Sequence, residues 1–80
     1  MHHRQPTGDE ALARLRALGC RIGEPKYDPS HVMQLYSVER EGSFRVTIFA
    51  IAPNGVPLFS LRAHLRALEI GWDEFWEGLP

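Results

Sequence analysis

The sequence contains little cysteine, little lysine and almost no net charge, and each shortage excludes a class of protein. The only cysteine, Cys20, excludes an internal disulfide framework and a cysteine-based metal cluster, so we predict a reducing, cytoplasmic setting without metal or cofactor. Nine basic and ten acidic residues give a formal net charge of −1, which provides no overall field that attracts phosphates. Any contact with nucleic acid must therefore depend on a local basic patch.

The sequence also lacks a signal peptide, internal repeats and an apolar run long enough to cross a membrane. Residues 46–61 carry no charge, but Pro53, Gly55 and Pro57 interrupt them. The apolar content of 44% excludes a disordered chain. We therefore expect no membrane association, a disordered tail over residues 1–6 and one domain over residues 7–80. A domain this small gains stability from a partner or from self-association.

Residues 44–52 have the clearest strand pattern, being rich in β-branched and aromatic side chains. Every second residue from Phe44 to Ala52 is apolar, so this face is expected to lie against helices. Residues 31–39 predict the preceding strand of an antiparallel hairpin, and residues 20–22 predict a short first strand with Cys20 pointing inward. The expected pairs across the hairpin are Val38 with Phe44, Tyr36 with Val46, Met33 with Phe49, and His31 with Ile51.

Three segments predict helices, at residues 8–18, 60–69 and 72–77. Thr7 and Glu10 form a capping-box pattern before the first helix, and Ser60 is the expected cap of the second. The fold class is therefore α+β, with a three-stranded antiparallel sheet covered by helices in the order α-β-β-β-α-α, similar to the double-stranded-RNA-binding domain (dsRBD-like). The predicted core consists of Leu15, Leu18, Val46, Ile48, Leu61, Leu65 and Leu68.

Several segments, taken in order, resemble the HicA-like (YcfA-like) mRNA interferase toxins. Residues 13–20 are similar to the first helix of that family, and Pro29-Ser30-His31 is similar to its Gly-Ser-His. The proline and glycine residues between 53 and 57 resemble its proline-glycine loop. Residues 60–66 and 70–75 resemble its Thr-Leu-Arg-x-Ile-Leu helix and closing acidic-Phe turn. The family's glycine between the last two helices is Glu69 in this chain.

The resemblance implies a metal-independent ribonuclease that acts on RNA, with His31 as the catalytic residue and an antitoxin-like protein as a partner. An imidazole suits this role because RNA cleavage requires a base of near-neutral pKa to take the 2′-hydroxyl proton. The alternative for His31 is a polar residue at the start of a strand. His64 is predicted to lie on the helix surface rather than to act as a second catalytic acid. The candidate RNA-binding patch comprises Arg21, Lys26, Arg45, Arg62 and Arg66.

A second function fits the same pattern, namely a non-enzymatic α+β module that works through protein contacts. Trp72, Phe75 and Trp76 lie close together near the C-terminus and are the candidate partner-binding surface. The alternative is that these three aromatic residues dock on the protein's own core. The two functions make opposite demands on His31, since the enzyme requires it to be exposed beside arginines and the module requires it to be buried or isolated. The module also requires an exposed apolar surface, for which Phe49 is a further candidate.

Overall fold

The structure, a computed structural model, describes residues 4–27, 29–30 and 32–79. These residues form an α+β domain with three helices and a four-stranded antiparallel sheet, in the predicted order of helices and strands. The helices are α1 (Gly8–Ala17), α2 (Leu58–Ala67) and α3 (Trp72–Trp76). The strands are β1 (Cys20–Ile22), β2 (Lys26–Tyr27), β3 (Gln34–Arg40) and β4 (Arg45–Ile51).

The seven-residue strand β3 lies at the centre of the sheet. One of its edges pairs with β4 along its whole length, and the other edge pairs with β1 and then β2. The strand β2 was not predicted, because Pro25 and Pro29 suggested that residues 23–30 form a loop. Lys26 and Tyr27 nevertheless pair with Leu35 and Gln34, which makes four strands rather than three.

The predicted hairpin register is wrong by three residues. Val38 lies opposite Thr47 and Tyr36 opposite Phe49, where the sequence predicted Phe44 and Val46. The turn between β3 and β4 is longer than expected and contains two residues in the left-handed region, Gly42 with φ of 82° and Phe44 with φ of 58°. The length and conformation of the turn fix the register.

The predicted orientation of β4 is also wrong. Val46 and Ile48, which were predicted to be core residues, are 54% and 57% exposed, whereas Phe49 is fully buried and Ile51 is nearly so. The helices therefore cover the face that carries Thr47, Phe49 and Ile51, here called the inner face. This orientation buries Phe49, the largest side chain of the strand, and the hydroxyl group of Thr47 beside it has a hydrogen-bond partner in His64.

The core lies between this inner face and the helices. The leucines predicted from helical periodicity are buried, apart from Leu18, which is partly buried against the same cluster. Cys20 is buried as expected, and burial raises the pKa of its thiol, so the thiolate is disfavoured. The buried predicted leucines are Leu15, Leu61, Leu65 and Leu68. None of the helices in the described part of the chain is long and apolar enough to cross a membrane.

The N-terminal tail and the start of α2 differ from the sequence prediction. Residues 4–6 were assigned to a disordered tail, but Pro6 is buried and its carbonyl oxygen accepts a hydrogen bond of 3.0 Å from the amide of Val56. The helix α2 begins at Leu58 rather than at residue 60, so Ser60 lies inside its first turn and does not cap it. The capping box of α1 forms as predicted, with Thr7 and Glu10 bonded in both directions.

Two arginines attach the C-terminal helices to the rest of the domain. The guanidinium of Arg14 on α1 donates to the carbonyl oxygens of Phe75 and Glu74, at 2.8 and 2.7 Å. The guanidinium of Arg40 on β3 donates to the carbonyl oxygen of Glu69, at 2.6 Å, just beyond the end of α2. Glu69 has a φ of 58°, in the left-handed region that glycine favours.

Candidate functional site

The face of the sheet opposite the helices, here called the outer face, is the most distinctive surface of the domain. The pairing register places Ile48 beside Ser37, Val46 beside Glu39, and Ala50 beside Leu35. Side chains alternate along a strand, so these residues point away from the inner face. Val46 and Ile48 are more than half exposed, and Leu35 and Ala50 are partly exposed. The outer face therefore presents an apolar strip that follows β4.

Phe44, in the turn that precedes β4, is another exposed apolar residue. Its side chain is 90% exposed and its φ of 58° lies in the left-handed region. A bulky residue rarely adopts this conformation, because its Cβ atom crowds the following carbonyl group. Exposure of a large aromatic ring and backbone strain both cost free energy, and they coincide at one residue. Such coincidences are typical of functional positions.

A second feature is a polar cluster between β4 and α2. The ring of His64 lies between two hydroxyl groups, with Nδ1 at 3.0 Å from Thr47 Oγ1 and Nε2 at 3.1 Å from Ser60 Oγ. Its ring centroid is 4.6 Å from that of Phe49, at an interplanar angle of 38°. Burial lowers the pKa of His64, which favours the neutral imidazole.

This arrangement corrects the prediction that His64 lies on the helix surface. The side chain is half-buried and both ring nitrogens have a partner, so the cluster explains how a histidine is accommodated beside the core. The spacing of Ser60 and His64, four residues apart on one helix, was the available signal. Thr47 could not be assigned to the cluster, because the sequence predicted that it faces away from the core helices.

The five predicted RNA-binding residues do not form one patch. Arg21 and Lys26 lie on strands whose pairing places them on the outer face, whereas Arg62 and Arg66 lie on α2 on the opposite side of the sheet. Arg45 lies on the same face of β4 as Thr47 and Phe49, the inner face, because alternate residues of a strand share a face. The structure therefore divides the basic residues between two surfaces.

Three of these arginines also have partners within the chain. Arg21 forms an ion pair with Glu41 at 3.2 Å, and Arg45 forms one with Glu69 at 2.8 Å. The guanidinium of Arg62 lies 4.1 Å from the ring centroid of Trp72, in a cation–π contact. Neutralising carboxylates reduce the local positive potential available to a phosphate.

The predicted aromatic surface is largely part of the core. Phe75 is fully buried and Trp76 is 9% exposed, and their rings meet edge to face with centroids 5.3 Å apart. Trp72 is partly buried and packs against Trp76, with the ring centroids 5.7 Å apart. The structure thus favours the alternative in which this cluster docks on the domain itself. The exposed apolar side chains of β4 were missed because they were assigned to the core.

The predicted catalytic residue, His31, lies outside the described residues. The residues on either side of it, Ser30 and Val32, are exposed. A groove of about 480 Å³ lies near the ends of β2, β3 and β4. Inside it the side-chain amide of Gln34 donates to Tyr27 Oη at 3.1 Å, and Tyr36 Oη donates to Gln34 Oε1 at 3.2 Å. In the described part of the chain no three metal-ligating side chains come together.

No family model matches this chain, and no curated protein or solved structure is significantly similar to it. The fold defines a small α+β domain with an antiparallel sheet. The resemblance to HicA-like toxins and the dsRBD-like label remain predictions.

Proposed function

We propose that this chain is a protein-interaction module that binds its partner through the outer face of the sheet. One observation carries the proposal: Val46 and Ile48 are 54% and 57% exposed although the sequence around them is typical of a core strand. Apolar residues gathered on one open face gain free energy when a partner covers them. Phe44, exposed at the neighbouring turn, supplies the large aromatic side chain that interfaces often use as an anchor.

The charge distribution supports a protein partner over a nucleic acid. The chain carries a net charge of −1, and Arg21 and Arg45 are paired with carboxylates. Binding to RNA depends mainly on the number of phosphates neutralised, and the divided basic residues supply few such contacts. An antitoxin-like protein, as the resemblance implies, belongs to the same class of partner.

The proposal is tested by comparing single substitutions on exposed residues. Ile48→Lys places a charge in the centre of the outer face, while Phe59→Lys places one on α2, where Phe59 is 80% exposed. Affinity capture from an extract of the source organism should recover a partner with the parent chain and with Phe59→Lys, but not with Ile48→Lys. Equal recovery with both variants would exclude the outer face. Circular dichroism checks that each variant is folded.

We also propose a second candidate function, a metal-independent ribonuclease in which His31 is the general base. The order of helices and strands, which agrees with the predicted order, is the observation that supports it. In the enzyme, His31 takes the proton from a ribose 2′-hydroxyl, and that oxygen attacks the adjacent phosphate. The bond from phosphorus to the 5′-oxygen of the next nucleotide breaks, the leaving oxygen takes a proton from solvent, and a 2′,3′-cyclic phosphate remains.

Purified protein incubated with RNA in the presence of a chelator tests this function. Cleavage that falls by about 10²–10⁴-fold in His31→Ala, with the thermal melt unchanged, is the expected result. Replacing both Arg62 and Arg66 by alanine should weaken RNA binding in a salt-dependent manner. RNA that stays intact over a long incubation and does not bind at low salt would exclude the enzyme.

A further inference from the structure

The strand β4 has a free edge as well as an exposed face. In the described part of the chain it pairs only with β3, so its other edge is open over the seven residues from Arg45 to Ile51. Edge strands are commonly protected by proline or by charged side chains, and β4 contains no proline and no charged residue after Arg45 at its first position. An open edge of this kind accepts another β-strand.

The hydrogen bonds on the far side of β3 show which of its backbone groups face β4. The amide of Gly23 donates to the carbonyl oxygen of Ser37 at 2.8 Å, and the amide of Glu41 donates to that of Gly19 at 3.0 Å. Ser37 and Glu41 therefore direct backbone groups toward β1, and by alternation so does Glu39. The residues between them direct their backbone groups toward β4.

The register then shows which backbone groups of β4 face β3 and which face the free edge. Thr47 and Phe49 lie opposite Val38 and Tyr36, so their amide and carbonyl groups are used within the hairpin. The intervening residues must point the same groups away from β3. The residues whose backbone groups reach the free edge are Val46, Ile48 and Ala50.

These three residues are the ones whose side chains form the apolar strip on the outer face. An antiparallel pair of β4 strands around a two-fold axis at Ile48 would place Ile48 opposite Ile48 of the second copy, and Val46 opposite Ala50. Every one of these pairs would exchange two backbone hydrogen bonds, about six in all. The free edge of β4 is thus complementary to itself in both backbone and side chains.

We infer that the partner of this surface is a second copy of the chain, joined through β4 into one continuous sheet. The inference rests on the proposed function and names the occupant. The charges along the strand support this dimer. Its central residues Val46, Ile48 and Ala50 are uncharged, and the two-fold register places Arg45 opposite Ile51 of the second copy. The two Arg45 side chains therefore lie at opposite ends of the interface and do not repel each other. The sheets meet edge to edge, as an isologous dimer requires.

Sedimentation velocity over a series of protein concentrations tests the inference. An interface of this size is small, so the sedimentation coefficient of the parent chain should rise with concentration rather than show one fixed dimer. Ile48→Lys should sediment as a monomer throughout, because it places two ammonium groups opposite each other. Phe59→Lys, the matched control, should associate like the parent. A parent chain that is monomeric up to about 1 mM would overturn the inference.

Cross-linking tests the register independently of affinity. Residues in a hydrogen-bonded antiparallel pair have Cα atoms about 5.5 Å apart, within the range of a disulfide. Ile48→Cys should therefore give a covalent dimer under oxidising conditions. Ser37→Cys, which lies on the same face but on the central strand, should give none, and the buried Cys20 of the parent should give none either. Equal cross-linking of both variants would contradict this register.

The two proposals fail in different ways. If the parent is monomeric and Ile48→Lys still abolishes capture of another protein, the dimer is wrong while the interaction module stands. If the chain dimerises but Ile48→Lys does not weaken the dimer, the β4 interface is wrong, and the interaction module is excluded as well only if Ile48→Lys also leaves capture of another protein unchanged.

Discussion

Nδ1 of His64 lies 3.0 Å from the hydroxyl oxygen of Thr47, and this contact ties α2 to the inner face of β4. Ser60 Oγ lies 3.1 Å from the other ring nitrogen. A neutral imidazole donates at one nitrogen and accepts at the other, and both hydroxyl groups can adapt to either role. The cluster therefore suits the uncharged ring, and burial lowers the pKa of His64 below its usual value of 6.5.

We expect the free energy of unfolding to fall as the pH decreases below about 6.5. In that range the unfolded chain binds a proton at His64 more readily than the folded chain does, so acid favours unfolding. Above this pH the contribution is constant. Urea midpoints measured between about pH 5 and 7.5 should show the slope, and His64→Gln should remove most of it. A slope that is equal in both proteins would assign the titration to another group.

The buried side of α2 and the outer face of β4 should respond differently to truncation. Leu65→Ala, at a buried position that faces the sheet, should destabilise the domain by about 2–5 kcal/mol. Ile48→Ala should change stability by about 0.5 kcal/mol or less, because that side chain is mostly exposed. Chemical denaturation of the two variants measures both. A large loss of stability in Ile48→Ala would instead support the orientation of β4 that the sequence predicted.

Local signals in the sequence predicted the helices well and the sheet only in part. The capping box at Thr7 and the leucine spacing around Leu65 depend on neighbouring residues alone, so they could be recognised directly. The orientation of β4 could not, since the strand has apolar residues on both faces and the larger buried area decides. With this face inward, the strand buries Phe49. The cost of burying the hydroxyl group of Thr47 is offset because that group is hydrogen-bonded to His64.

Predicting the candidate site from the sequence also required the correct orientation of β4. Once Val46 and Ile48 are on the outer face, the exposed apolar strip and the free edge of β4 both follow. The register depends on the turn, and no pattern in the sequence indicates that Phe44 adopts a positive φ. The prediction of His31 as a catalytic residue came from the resemblance and stays a prediction.

Replacing Phe44 by glycine should stabilise the isolated domain. Glycine adopts a positive φ without the steric cost that an L side chain incurs, which is about 1–2 kcal/mol, and loses part of this gain through its more flexible unfolded state. We expect a net gain of about 0.5–1 kcal/mol in thermal or urea unfolding. Partner binding through the outer face should weaken in the same variant, since the exposed ring is removed.

Val46→Gly is the matched control for this substitution. Val46 lies two residues further along, within β4, and does not have a positive φ. Glycine should therefore destabilise the domain at this position by about 0.5–1 kcal/mol. Loss of stability in both variants would mean that the φ of Phe44 is not strained in solution.

The side chain of Arg14 attaches α3 to α1. Arg14 donates to the carbonyl oxygens of Phe75 and Glu74, in a helix that also supplies buried aromatic rings to the core. Charge-assisted hydrogen bonds of this kind contribute more than neutral ones, and removing the guanidinium leaves both carbonyl groups without this donor. Arg14→Ala should destabilise the domain by about 1–3 kcal/mol.

Arg16→Ala, on the exposed side of the same helix, should change stability by about 0.5 kcal/mol or less. Amide hydrogen exchange should show faster opening of α3 in Arg14→Ala alone, because α3 loses its tie to α1 while the sheet is unchanged. Equal protection of α3 in both variants would show that its aromatic packing holds the helix without the arginine.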